Sequence, residues 1–278
     1  MRRPFAIVSG CERPAVSDEL WSGIRREAAR AAAQDPLLAL AIERAVLRRA
    51  SLGDALCHLL ARKLADPELD APSIAMLVGD AIEDDPEIAA SAAIDLCAIR
   101  ERDPACPDLL TPFLFFKGYQ ALQAYRVSHW LWHRGRRHLS NLLQSRISEV
   151  FAVDIHPAAR LGRGILIDHG TGVVIGETAV VEDFVSILQE VTLGGTGKEC
   201  GDRHPKIRRG VLIGAGAKIL GNIEVGEGAK VGAGSIVVSP VEPFTTVVGN
   251  PARPVGPRNT DMPGLTMDQS LPALNYVI

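Results

Sequence analysis

The sequence predicts two joined architectures, a helical region followed by a coil of short parallel strands, and three observations predict them. An aliphatic residue returns at every sixth position through Ile155, Leu161, Ile167, Val173, Ala179, Val185 and Val191, and again through Ile207, Ile213, Ile219, Val225, Val231 and Val237. Gly or another small residue recurs beside that position and three places on, as at Gly214 with Gly216 and Gly232 with Gly234. The chain before the coil is rich in Ala, Leu, Arg and Glu, with apolar residues three and four apart. A period of six suits neither a helix nor a hairpin. It puts each aliphatic side chain at the same point of a short flat strand, so successive strands wind into a coil and stack one continuous core.

Taken in order, residues 1–16 open with Met1-Arg2-Arg3 and a short apolar stretch from Phe5. That stretch has an apolar core of about four residues where an export signal needs roughly seven to fifteen, so a disordered start is expected. Residues 17–148 read as a helical domain that packs against itself or its copies. Ser17 suits a helix start, with Trp21, Ile24, Ala28 and Ala31 on one face; Asp35-Pro36 ends that helix and opens the next through Leu37, Leu40, Ala41 and Leu47. Ser51 with Asp54 has the form of a capping box before Ala55–Leu64. Asp66-Pro67, Asp85-Pro86 and Asp103-Pro104 punctuate the remainder, because the residue before Pro disfavours the helical region. Phe113 to Phe116 read as a packing hub, and Tyr119 to Arg137 as one long helix whose His129, Trp130, Trp132 and His133 belong to a core or an interface.

Residues 149–257 form the coil. Val191 and Ile207 are sixteen apart, which is not a multiple of six, so residues 194–206 leave it as a loop of glycines and charge, Arg203 and His204 included. A single His in such a loop reads first as solvated surface; Asp168-His169 in an earlier corner shifts the reading toward chemistry. Val247 to Arg253 can close the coil, and residues 258–278 read as a mobile tail ending at Ile278. A formal charge of -3 gives no electrostatic case for nucleic acid. Five cysteines without a paired CxxC suit reduced thiols. No apolar run approaches the roughly eighteen residues of a membrane span, so a soluble, cytoplasmic protein is expected.

The motifs together resemble the serine O-acetyltransferase family. They are Arg102-Asp103-Pro104-Ala105, Tyr125 to Trp132, Val153-Asp154-Ile155-His156-Pro157, Asp168-His169, Gly176-Glu177-Thr178-Ala179, the 194–206 loop and Ile213 to Asn222. The resemblance implies a left-handed parallel β-helix, an exception to ordinary right-handed crossovers. It implies acetyl transfer from acetyl-CoA, a co-substrate, to the hydroxyl of L-serine, with no permanently bound cofactor and no metal.

An alcohol is a poor nucleophile, so a base must take its proton, and a neutral imidazole suits that near pH 7. By resemblance the base is His169, with Asp154 holding its tautomer. His204 is a second essential histidine for positioning or proton handling. Asp103 and Asp168 match the acids that bind the serine ammonium, Arg203 the partner of its carboxylate, and Glu177 a support for Arg203. From its neighbourhood alone Asp103 is an ordinary turn acid before Pro104; only the resemblance makes it a ligand. Acetyl-CoA is expected along Gly195, Thr196, Ala215, Ala233 and Lys230, with Lys230 and Arg253 near its phosphates. The family implies homotrimers with sites between neighbouring coils, and a hexamer formed through the helical domains. It also implies inhibition by L-cysteine and insertion of Ile278 into O-acetylserine sulfhydrylase.

Two rivals share parts of this pattern. An acetyltransferase for a sugar or antibiotic hydroxyl would keep the coil and the base, but would not need two acids and an Arg for an amino acid. A metal protein of the carbonic anhydrase type would need three histidines, from among His156, His169 and His204. His156, followed by Pro157 at a coil start, reads as structural.

Overall fold

The computed structural model describes residues 14–197 and 200–271, with side chains from residue 18. Helices fill the first half: α1 (Pro14–Gln34), α2 (Pro36–Ile42) continued by a π-helical turn (Glu43–Leu47), α3 (Leu52–Leu64), α4 (Ala71–Asp84), α5 (Glu87–Arg102), α6 (Leu110–Phe115), α7 (Lys117–His133) and α8 (Arg137–Phe151). The expected disordered start lies outside the described residues except at its end, where α1 has already begun. Trp21, Ile24 and Ala28 are buried as expected, and Phe113 is fully buried with its ring edge-on to Trp21. Ser51 caps α3 by accepting from the Asp54 amide at 3.2 Å.

Two helical expectations change. On α2 the stripe of Leu37, Leu40 and Ala41 faces outward, with Leu37 90 % exposed, while Ile42, Ala45 and Val46 are buried. The π-helical turn widens the spacing there and rotates the buried face. The long helix predicted from Tyr119 to Arg137 breaks at Gly135, whose φ of 75° is the left-handed value that glycine adopts freely, so α7 and α8 fold back on each other.

From Val153 the chain winds through three parallel faces. The first stacks Val153–Ile155, Val173–Ile175, Thr192–Gly194, Lys218–Leu220 and Ile236–Val237. The second stacks Arg160–Leu161, Val180–Val181, Lys206–Ile207 and Glu224–Val225. The third stacks Leu166–Ile167, Ser186–Ile187, Leu212–Ile213, Lys230–Val231 and Thr246–Gly249, and is closed by antiparallel Ala252–Pro254. The result is a parallel β-solenoid of about five turns. Every member of the two six-residue series is buried except the half-buried Leu161. Emptying one such stacked position, for example Ile219→Ala, costs about 2–5 kcal/mol because the coils above and below cannot close the gap.

The pairing register corrects the first series. Ile155 pairs with Ile175 and Ile175 with Leu193, so the first coil is two residues longer than the second. Each strand buries two positions two apart, and the sixfold series slips from one ladder to the other at the corner 168–172. The extra residues therefore sit in the corner that carries His169.

A buried ion pair joins the two architectures. Arg126 on α7 donates to Asp95 on α5 at 2.7 Å and to the Gly162 carbonyl at 2.9 Å, while Asp95 also accepts from the Ile165 amide at 3.0 Å. Gly118 lies so close to Ile167 that a side chain there would overlap the Ile167 carbonyl.

The mobile tail expected from residue 258 is not what residues 258–271 form. A short helix α9 (Pro263–Thr266) lies on the third face, the Gly264 amide donates to the Gly210 carbonyl at 2.9 Å, and Ser186 donates to the Gly264 carbonyl at 2.7 Å. Ile278 lies outside the described residues.

Candidate functional site

The corner joining the first face to the second contains residues 156–159, 176–179 and the 194–206 loop, stacked one above another. The corner joining the third face to the first contains 168–172, 188–191, 214–217 and 232–235. The sequence-derived residues divide between these corners.

His169 stands on the second of them, with a side chain 73 % exposed and a φ of 56°. A non-glycine residue in that left-handed region is held there by its surroundings. Gly170 and Gly172 follow with φ of 76° and 74°, Lys117 donates to Thr171, and the Gly172 amide bonds the Ala152 carbonyl at 2.8 Å. His169 Nε2 lies 3.8 Å from Asp168. Burial raises the Asp168 carboxyl above its ordinary value; His169 opposes the shift and Asp103 adds to it. Asp103 and Asp168 are therefore close enough to repel, an arrangement that a cationic group would relieve. Asp103 also keeps the turn role its neighbourhood suggested, accepting from the Ala105 amide at 2.8 Å. Asp154 projects from the first face and accepts from Gln144 at 2.7 Å; among the described residues the expected pairing with His169 is not formed.

The other corner is built around Thr178. Its hydroxyl accepts from the amides of Arg203 at 3.0 Å and His204 at 3.1 Å and meets His204 Nδ1 at 2.9 Å, while its amide donates to the same Nδ1 at 3.2 Å. Nδ1 is thus an acceptor, and the neutral ring carries its proton on Nε2. Burial depresses the His204 imidazole and Arg203 adds to that. The ring lies over Gly176, where any side chain would overlap it. Gly176 is one of the glycines that the sixfold pattern marks as corners, and the structure gives it a different task, leaving room for His204. Arg203 pairs with Glu177 at 2.7 Å, the contact that the resemblance implied, and that hydrogen bond holds the Glu177 carboxyl below its ordinary value. Sequence reasoning missed Thr178 and Gln144; a hydroxyl and an amide carry no spacing signal that would mark them.

The residues expected for acetyl-CoA are also divided. Gly195 and Thr196 lie at the loop corner, Ala215 and Ala233 at the His169 corner. Lys230 is buried on the third face beneath the tail, donating to the Ser270 carbonyl at 2.8 Å, so in this conformation it does not face solvent as a phosphate partner would. Arg253 lies on the closing strand and bonds its neighbour's carbonyl at 3.1 Å. Within one chain the three histidines weighed as metal ligands do not converge, since His156 and His204 share one corner and His169 stands on the other. Among the described residues no group of three or more His, Cys, Asp or Glu could hold a metal ion.

Residues 20–124 match the family model described as serine acetyltransferase, N-terminal, and residues 204–239 match bacterial transferase hexapeptide repeats. The serine acetyltransferase of Salmonella typhimurium is 56 % identical over 257 residues, covering 92 % of this chain and 94 % of that one. A serine acetyltransferase solved in complex with cysteine superposes with a TM-score of 0.90 at 50 % identity, over 92 % of this chain and 99 % of that one. One solved in complex with CoA gives 0.83 at 51 % identity, over 86 % and 100 %. Soybean serine acetyltransferase complexed with serine gives 0.85 at 54 % identity, over 87 % and 100 %.

Proposed function

The chain belongs to the serine acetyltransferase family, and on that premise we propose that its two corners work as one composite site, completed when a neighbouring chain brings its loop corner to the His169 corner. The reaction is acetyl transfer from acetyl-CoA to L-serine, giving O-acetyl-L-serine and CoA. The observation that carries the composite reading is the separation of the two groups. The acids and His169 occupy one edge of the prism and Arg203 with His204 another, about a strand's length apart on a scale of roughly 3.3 Å per residue.

In this reading Asp168 and Asp103 take the serine ammonium, and Arg203, kept in place by Glu177, takes its carboxylate through a planar donor fork. That fixes the serine hydroxyl beside His169. As the oxygen attacks the thioester carbonyl, the imidazole accepts the hydroxyl proton. Collapse of the tetrahedral adduct expels the CoA sulfur, which leaves as the thiol once it recovers that proton. Asp154 would turn from Gln144 to His169 in the working state. Acetyl-CoA would run past Gly195 and Thr196 of one chain and Ala215 and Ala233 of the other, with Arg253 near its phosphates and Lys230 joining it once the tail has lifted. L-serine, CoA and L-cysteine are its ligands. Inhibition by L-cysteine, a trimer or hexamer, cytoplasmic residence and insertion of Ile278 into O-acetylserine sulfhydrylase belong to the same proposal. No helix among the described residues is long and apolar enough to cross a membrane.

The test is CoA release from acetyl-CoA with L-serine, repeated with L-homoserine and with a simple sugar. Release with L-serine well above the other two is expected. Equal rates with the sugar would transfer the assignment to the rival acetyltransferase.

A further inference from the structure

The loop corner holds one more imidazole with an open donor. His156 begins the first coil directly beneath Gly176, since Ile155 pairs with Ile175 and the His156 amide donates to the Ile175 carbonyl at 2.9 Å. Stacked strands lie about 4.8 Å apart, so the side chain of His156 leaves the prism one rung below the gap that Gly176 leaves empty. The His204 ring fills that gap, with Nε2 closest to where a Gly176 side chain would start. The two imidazoles are therefore neighbours across a glycine.

Both rings are in the same tautomer. His156 Nδ1 accepts from the Ala158 amide at 3.1 Å, which puts the proton of the neutral ring on Nε2, and among the described residues no hydrogen bond uses that Nε2. Trp132 fixes the ring edge-on at 5.1 Å between centroids. Burial depresses the His156 imidazole, with Glu177 opposing, so near neutral pH it offers a neutral N–H rather than a cation. Arg203 and His204 Nε2 are further donors at this corner, where Lys206 is already engaged by Asp202 and by the Thr178 and His204 carbonyls. A carboxylate has roughly four lone-pair sites, more than a guanidinium fork alone uses.

We infer that His156 is a further substrate-binding residue, donating through Nε2–H to the carboxylate of the amino acid that Arg203 holds. This rests on the reading of the loop corner as the carboxylate end of the site. The role is not the packing one that its place before Pro157 suggested.

The experiment compares kcat/KM for L-serine with that for serinol, which keeps the ammonium and a hydroxyl but has no carboxylate. His156→Leu should lose about tenfold or more with L-serine, mostly in KM, and stay within about twofold of wild type with serinol. His156→Gln, whose amide nitrogen reaches the place of Nε2, should recover most of the loss, whereas His156→Asn, which reaches only the place of Nδ1, should not. Equal losses on both substrates, or equal behaviour of the Gln and Asn variants, would overturn the inference. Should the Leu variant fail to fold, the Gln and Asn pair still decides. Wild-type enzyme that does not prefer L-serine to serinol would instead overturn the functional reading beneath it.

Discussion

Thr178 decides what His204 can do. Its hydroxyl accepts two loop amides and its own amide donates to Nδ1, so the ring is held as a donor through Nε2, while Glu177 holds Arg203 beside it. A ring held this way, and pushed below its ordinary value of 6.5 by burial, binds fewer protons folded than unfolded. Its contribution to stability is complete above about pH 6.5 and is lost as the pH falls through the folded value. Thermal midpoints measured between pH 7 and 5 should therefore fall, and fall less steeply in His204→Gln; parallel curves would refute this. His169 differs in kind, since it is exposed and held by backbone rather than by hydrogen bonds to its ring. His169→Ala should lower kcat by roughly a hundredfold or more while circular dichroism stays native, because it removes the proposed base without emptying any core position. Activity near wild type would move the base elsewhere.

On the proposed reading, the corner carries the chemistry and the strand does not. Gly176→Ala adds one methyl group, and that methyl would occupy the place of the His204 ring. The loop must then lift, so the variant should lose about thirtyfold or more in kcat/KM for L-serine, an effect the size of a lost charge-assisted contact set, while its unfolding midpoint shifts little. A crystal structure with His204 unmoved would count against it. The same element shows what the sequence could and could not disclose. Inward positions were legible because an aliphatic ladder tolerates few other residues, and the loop was legible because eight extra residues break the period visibly. Two extra residues in 168–172 were not. Both inward positions of each strand are aliphatic, so a shift of two restores the sixfold count, and only the parallel ladder through Ile175, Val181, Ile187 and Leu193 would have exposed it. The outward stripe on α2 escaped for a related reason, because a π-helical turn changes the spacing that the reading assumed. The packing of residues 258–271 escaped because backbone bonds at Gly264 anchor it, and those carry no periodic mark.

At the scale of the whole molecule, the proposed reading makes one prism the bearer of two half-sites on different corners. The first face separates the two corners, and the Arg126–Asp95 pair seats the helical domain on the start of the coil. In the trimer proposed above, symmetry would bring each His169 corner to the loop corner of the next chain. The consequence is testable by mixing chains. His169→Ala and Arg203→Ala should each be nearly inactive alone. Co-expressed in equal amounts, they form sites at random: a site works when its His169 corner comes from the Arg203 variant and its loop corner from the His169 variant. Chance gives about one quarter of wild-type activity per site for heterologous contacts in a closed ring. If each chain held a complete site, no mixture could recover activity, since every chain would carry one broken half.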